Sequence, residues 1–323
     1  MQPGSLRDIR LFVAAYEERS FTAAAARENA TQSGVSQHVR NLEDAFEVQL
    51  FLRRKGQVQP TPAADSYYRS CIEVLRAHEA ASRNVRRFAP GLAGEIVVGL
   101  MPTMTRCTIA PTLTRFVAEQ PNVTVRVVEG YSAALTGMVR SGEIDFAIVP
   151  AFSGTPGLRT RLFLRTAETL VASAGADRPH LAPVRLSEIG PLRLVVPGPA
   201  NTRRQTLDTY CVSNGVRVDR TIELDAMLGT LDFVHRTEWV AILPAIMMAT
   251  EIARDHFTVN PLEGPALTLD LMLIEPSRRH MSEASEAFLQ ILDEETQRLN
   301  AAWLAAAEAA GGHHNSDRSA LTG

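Results

Sequence analysis

The chain has 323 residues, 45% of them apolar and 21% charged, with a formal net charge of −3 at neutral pH. That balance is the globular average, so wholesale disorder and a fibrous repeat are excluded, and the length suits two or three domains. No run approaches the roughly 20 apolar residues that cross a bilayer. Residues 1–10 lack a signal-peptide pattern, and Cys71, Cys107 and Cys211 are too scattered for a disulfide framework. A cytoplasmic protein without membrane association is expected. Lys55 is the single lysine beside many arginines in an alanine-rich chain, a bias of GC-rich, bacterial genomes. Charge is uneven: residues 1–89 carry 13 Arg/Lys against 10 Asp/Glu, and the rest 20 against 26. A polyanion partner at the N-terminal end fits that sign change.

Residues 5–50 read as helices. Leu6, Ile9, Phe12, Val13 and Tyr16 recur at helical spacing and give a first helix one apolar face. Ser20 or Thr22 can cap a short second helix, and Ser33 a third running to about residue 46. Arg53-Arg54-Lys55-Gly56, then Val58 and Pro60, predict a basic hairpin, or wing. Pro62 suits the first turn of a long helix to about residue 88. On it Tyr68, Cys71, Leu75, His78, Ser82 and Val85 step alternately by three and four, the pattern of a coiled-coil dimer seam. The alternative is an amphipathic helix packed on its own domain. Residues 89–94 break that helix as a hinge.

From residue 95 short β-rich runs at 96–100, 123–128 and 144–149 alternate with helical stretches at 108–119 and 133–140. The alternation resumes with a strand at 192–196, a helix at 202–213, a strand at 221–224, a helix at 226–235 and a strand at 239–243. The Gly- and Pro-rich stretch 150–161 reads as a crossover between the two sets. A strand at 267–274 and a helix at about 282–309 finish the fold, leaving 311–323 as a disordered tail. Such alternation implies parallel sheets.

The helical pair at 20–46 carries the strongest chemical signal. A helix-turn-helix needs a small residue where its helices cross, a residue tolerant of positive φ in the turn, and an apolar anchor on the second helix. Ala25, Asn29 and Val35 supply these in order. The second helix then presents Gln32, Ser33, Ser36, Gln37 and Arg40, groups able to bond base edges or phosphates in a major groove. The alternative is a helical corner with a solvated face.

Phe12, Ser20-Phe21-Thr22-Ala23-Ala24-Ala25, Thr31-Gln32-Ser33-Gly34-Val35-Ser36, Leu42-Glu43, Leu50-Phe51, Arg53 and Thr61-Pro62-Ala63 follow in order. This series resembles the winged helix-turn-helix of LysR-type transcriptional regulators, and the resemblance runs over about residues 5–300. It implies an α/β multi-domain protein. Its parts would be a winged helix-turn-helix at 1–61, a linker and dimerisation helix at 62–89, and an effector domain at 92–310. That domain would resemble periplasmic solute-binding proteins, with one lobe at 92–160 and 267–310 and the other at 161–266. The resemblance also implies a homodimer or homotetramer on double-stranded DNA at an interrupted palindrome, a small-molecule effector, and contact with RNA polymerase. No cofactor or metal is called for. Arg53, Arg54 and Lys55 would then lie along the DNA backbone or enter the minor groove, with Arg53 alternatively tying the wing to the helices. Glu28, Ala30, Pro60 and Ala64 depart from the family's usual residues. Glu28 would face the helix packing, where an unpaired carboxylate is costly, so an Arg partner or partial exposure is expected.

In parallel sheets, strand carboxyl ends and the starts of following helices converge on a crevice that favours anions. Thr103, Thr105, Ser132, Asn201, Thr202 and Arg203 stand at such ends, with Arg106 as a second source of charge. They are the candidate effector residues, for a small organic anion, and each could equally cap a helix. Trp239 stands where many family members have Gly, and either narrows the cleft or packs in the core. Enzyme readings are weaker. Gly130-Tyr131-Ser132-Ala133-Ala134 is one residue short of a nucleophile elbow, and phosphate-loop, dinucleotide and zinc-protease motifs are lacking. A transcriptional regulator is therefore expected; a solute-binding module without DNA affinity and a Ser132 hydrolase are the alternatives.

Overall fold

The computed structural model describes residues 4–54, 57–86, 92–151, 156–175, 178–199, 201–254 and 256–320. Its N-terminal part holds α1 (Leu6–Glu18), α2 (Phe21–Arg27), α3 (Gln32–Phe46), the antiparallel hairpin β1 (Phe51–Arg54) and β2 (Gln57–Pro60), and α4 (Pro62–Arg86). A capping box starts α1: the Ser5 hydroxyl accepts from the Asp8 N–H, and the Asp8 carboxylate accepts from the Ser5 N–H. Ser20 caps α2 as expected. The cap of α3 is Thr31, whose Oγ1 accepts from Gly34 N at 3.1 Å, so Ser33 lies inside the first turn rather than at the cap. Asn29 holds the turn at φ 49°, with Ala25 and Val35 buried on either side. Phe12, fully buried, meets both Phe51 of the wing and Tyr67 of α4, joining all three pieces in one core.

The first half of the α4 seam packs inside its own domain. Tyr68 stacks on Tyr16 and donates to Glu17 Oε1 at 2.7 Å, while Cys71 and Leu75 are buried in the same core. The side chains of Ser82 and Val85 lie outside the described residues, as do residues 89–91 of the expected hinge at 89–94.

The rest of the chain builds one twisted assembly from β3 (Gly94–Leu100), α5 (Pro102–Thr105), α6 (Ile109–Glu119), β4 (Val123–Glu129), α7 (Ser132–Ser141), β5 (Phe146–Pro150), β6 (Leu158–Ser173), β7 (Leu192–Val196), α8 (Thr202–Ser213), β8 (Val218–Glu223), α9 (Met227–Arg236), β9 (Val240–Pro244), a 3-10 turn (Ala245–Glu251), β10 (Phe257–Pro261), β11 (Thr268–Pro276) and α10 (Glu283–Ala320). Strand order is β4-β3-β5-β11-β6-β9-β7-β8, with β10 on β6. Parallel triplets, β4-β3-β5 and β9-β7-β8, form the sheets of two lobes. Between them β6 and β11 pair antiparallel from Thr268↔Ala167 to Pro276↔Leu158, so the chain crosses from lobe to lobe twice through neighbouring strands.

Three features depart from the sequence expectation. Where a crossover loop was expected to run to residue 161, β6 begins at Leu158 and continues for 16 residues. β10 fills a segment that had no assignment. Helix α10 runs on through 311–320, where a disordered tail was expected. Trp303, buried in the second lobe, anchors the middle of the helix, and extending an existing helix costs far less than starting one.

Candidate DNA-binding surface and effector cleft

Val35, Val39 and Leu42 are the buried stripe of α3, which leaves Gln32, Ser33, Gln37 and Arg40 exposed on its other side. Gln37 Nε2 donates to Asn41 Oδ1 at 2.9 Å, an exposed pair a competing base edge can displace. Ser36 does not belong with them. It is 6% exposed and stands seven residues before Glu43, so both share one side of the helix. Glu43 turns inward on that side to accept from Leu50 N at 2.8 Å and Phe51 N at 3.0 Å, pinning the wing to α3. In the wing, Arg53 and Arg54 lie in β1 opposite Val58 and Gln57. Their side chains, and Lys55 altogether, lie outside the described residues. Glu28, at the end of α2, has the arginine partner expected of it: Arg278 Nη1 lies 2.9 Å from its Oε1, with both side chains below 20% exposed.

A cleft of ≈ 260 Å³ opens between the lobes, lined by Pro150 and Ala151 at the end of β5, by Thr202, Arg203 and Thr206 on α8, and by Thr268 and Asp270 on β11. Of the six candidate effector residues, only Thr202 and Arg203 line it. Arg203 is spent elsewhere: its guanidinium makes three contacts of 2.8–3.1 Å with the buried Glu168 carboxylate and a fourth with the Ile242 carbonyl. Arg106 is likewise engaged, by Glu251 at 2.7 Å and by the Met247 carbonyl. Asn201 caps α8, its side chain accepting from Arg203 N at 3.0 Å. Thr103 is buried, Thr105 donates to Glu129, and Ser132 begins α7. Of the strand ends singled out in the sequence, only the one leading into α8 borders this cleft, and sequence alone could not separate capping or ion-paired residues from lining ones.

Thr206, Thr268 and Asp270 escaped sequence reading. Thr206 is one turn on from Thr202, and Thr268 and Asp270 share a face of β11, patterns visible only once the elements are assigned. Hydrogen bonds from Arg165 hold the Asp270 carboxyl below its ordinary range. Across the cleft, the Tyr131 hydroxyl donates to the Asp225 carbonyl, and the Asp225 side chain accepts from Gly198 N at 2.9 Å. That chain of bonds links the first lobe to the loop preceding α8. Trp239 resolves to its core reading: it is buried beside Phe233 at the start of β9, the end remote from the cleft.

A recognition helix with an open polar face, a paired wing and a two-lobed domain hinged on crossed strands define a one-component, ligand-responsive DNA-binding protein. Residues 6–65 match the bacterial regulatory helix-turn-helix proteins of the lysR family, and residues 89–297 match the LysR substrate binding domain. The chain belongs to the LysR family of DNA-binding transcriptional regulators with an effector-binding domain. The nitrogen assimilation regulatory protein nac of Escherichia coli (strain K12) is 24% identical over 289 residues, 89% of this chain and 94% of that one. A full-length OxyR variant from Pseudomonas aeruginosa shares the fold at a TM-score of 0.58, with 18% identity, 92% of this chain and 96% of that one. Full-length CbnR in complex with its target DNA does so at 0.51, with 18% identity, 91% of this chain and all of that one. Among the described residues no helix is long and apolar enough to cross a membrane.

Proposed function

We propose that Gln32, Ser33, Gln37 and Arg40 read base edges and phosphates in a major groove, with Arg53, Arg54 and Lys55 of the wing on the flanking backbone. The observation that carries this reading is the open polar face of α3, set opposite its buried apolar stripe. Ser36, buried, is removed from the set of contacts and supports the helix instead. Two copies of the chain, or four, would address the halves of an interrupted palindrome in the cytoplasm, joined through the distal part of α4, and would activate transcription through RNA polymerase. The chain is a regulator, not an enzyme, on this reading.

The effector is a small polar molecule held in the cleft by the hydroxyls of Thr202, Thr206 and Thr268 and by the start of α8, whose dipole favours an acceptor group, a carboxylate being the simplest. Arg203 and Arg106 do not hold the effector, because both guanidinia already neutralise buried acids. An effector works only by preferring one arrangement of the subunits over another.

Selection from random duplex DNA tests the first part, using the full-length protein and the variants Gln32→Ala/Gln37→Ala and Arg40→Ala. A two-fold symmetric site, lost in the double variant, is expected. Recovery of no specific site at any salt concentration would favour the solute-binding module. Calorimetry with a panel of carboxylates tests the second part; heat only from uncharged compounds would remove the carboxylate.

A further inference from the structure

A second cavity, of ≈ 210 Å³, lies where the winged helix, α4 and the effector domain meet. Four arginines face it: Arg10 of α1, Arg27 of α2, and Arg278 and Arg279 just after β11. His78 of α4 joins them, and among the described residues Glu28 is the only acid on the wall. The other counter-charges stand behind the lining. Arg27 pairs with Glu17 and Glu18, and Arg279 with Asp145 at 2.9 Å. Arg10 has no acidic partner among the described residues, and Arg278 shares Glu28 with Arg27. Burial, and then the neighbouring charge of Arg27, push the Arg278 guanidinium below its ordinary range against the pull of Glu28 and Glu17.

We propose that this cavity binds a small multivalent oxyanion of the phosphate class, which bridges the DNA-binding and effector parts of the chain. The guanidinium of Arg10, with the donors of Arg278 and Arg279 that Glu28 and Asp145 leave over, suits the diverging oxygens of a tetrahedral phosphorus centre better than a planar carboxylate, while Arg27, bonded to Glu17 and Glu18, adds only charge. A cavity of ≈ 210 Å³ has room for phosphate or pyrophosphate. The bridge would add to a joint already made by Arg278 on Glu28, by Arg76 Nε donating to the Ser277 carbonyl at 2.8 Å, and by Arg140 on Glu18 at 3.3 Å. The inference does not depend on what the cleft binds.

Titration calorimetry of the full-length protein at constant ionic strength tests it, with inorganic phosphate, pyrophosphate and glycerol phosphate as probes. One saturable site per chain is expected. Tightest binding of pyrophosphate would mark a free oxyanion as the occupant, and tightest binding of the monoester a phosphorylated organic molecule. Arg10→Ala/Arg279→Ala should weaken binding at least tenfold, since two charge-assisted bonds are lost. Arg10→Lys/Arg279→Lys should restore much of it. Neither Arg40→Ala, on the DNA face, nor Thr202→Val/Thr206→Val, in the cleft, should change it by more than twofold. Both arginines of the first pair are at least partly exposed, and a melting curve like that of the wild type shows the variant folded. The absence of saturable heat from all three probes at millimolar concentration would overturn the proposal. So would binding that survives the Arg10/Arg279 change or disappears with Arg40→Ala or with the cleft variant.

Discussion

Arg203→Met would strand a carboxylate inside the second lobe. The Glu168 and Arg203 side chains are 4% and 6% exposed, and the guanidinium is bidentate, with Nη2 at 2.9 and 2.8 Å from the two carboxylate oxygens. Two ions that deep forfeit several kcal/mol of hydration each, which their mutual attraction offsets only while both are present. Removing one is expected to cost about 3–5 kcal/mol, whereas Glu168→Leu/Arg203→Met, which leaves no charge, should come near wild type. The pH dependence has a definite sign. Burial already raises the Glu168 carboxyl above its ordinary range against the pull of Arg203. Without Arg203 it rises further. A carboxyl raised in the folded state leaves stability intact below its unfolded pKa and erodes it as pH climbs through the folded one, by up to about 1.4 kcal/mol per unit. Urea denaturation followed by circular dichroism, from mildly acidic to mildly alkaline pH, should therefore show Arg203→Met weakening with pH relative to the double variant, which has no titrating group there. A single variant within about 1 kcal/mol of wild type, or parallel pH profiles for the two variants, would refute the reasoning.

Three further outcomes are expected. Asn29→Ala forces a residue with a Cβ and no local side-chain bond into φ 49° and should cost about 1 kcal/mol in thermal unfolding, while Asn29→Gly should be nearly neutral. Arg40→Ala should leave the melting temperature unchanged yet lower the slope of log affinity against log salt by about 0.9, read from DNA titrations at several salt concentrations. Gly157→Ala combines φ 91° with a Cβ only 2.6 Å from Glu17 Cδ, at the seam between the winged helix and the first lobe. Differential scanning calorimetry should show a loss of about 1–3 kcal/mol, and the DNA-binding part should melt separately from the lobes.

Most of the architecture was legible because it follows local rules. Ala25, Asn29 and Val35 mark a helix crossing by size and backbone tolerance, and the 192–196 strand and the following helix were read at the bounds the structure gives. β6 was hidden because its residues answer to two lobes at once. Its first half shows Arg159 and Arg161 between apolar residues, and its second half is buried on both faces, so no single period runs along it. The cleft was half legible for a related reason. Strand ends can be found from periodicity, but whether Arg203 faces a ligand or Glu168 depends on a residue 35 positions away, on a strand the periodicity did not reveal. Ser36 shows the same limit on a smaller scale: short polar residues on a helix look outward until a neighbour such as Glu43 is found turning in.

Helix α10 places Phe288 in the core of the first lobe and Trp303 in that of the second. The winged-helix core, by contrast, draws among the described residues on Leu6 to Leu75. During synthesis the DNA-reading part is therefore complete long before either lobe can close. The interval is about 200 residues, roughly 10–40 s at about 5–20 residues per second. A message cut short before α10 would release a chain with an intact reading head and no finished sensor, able to occupy the same sites as its full-length siblings while deaf to their signal.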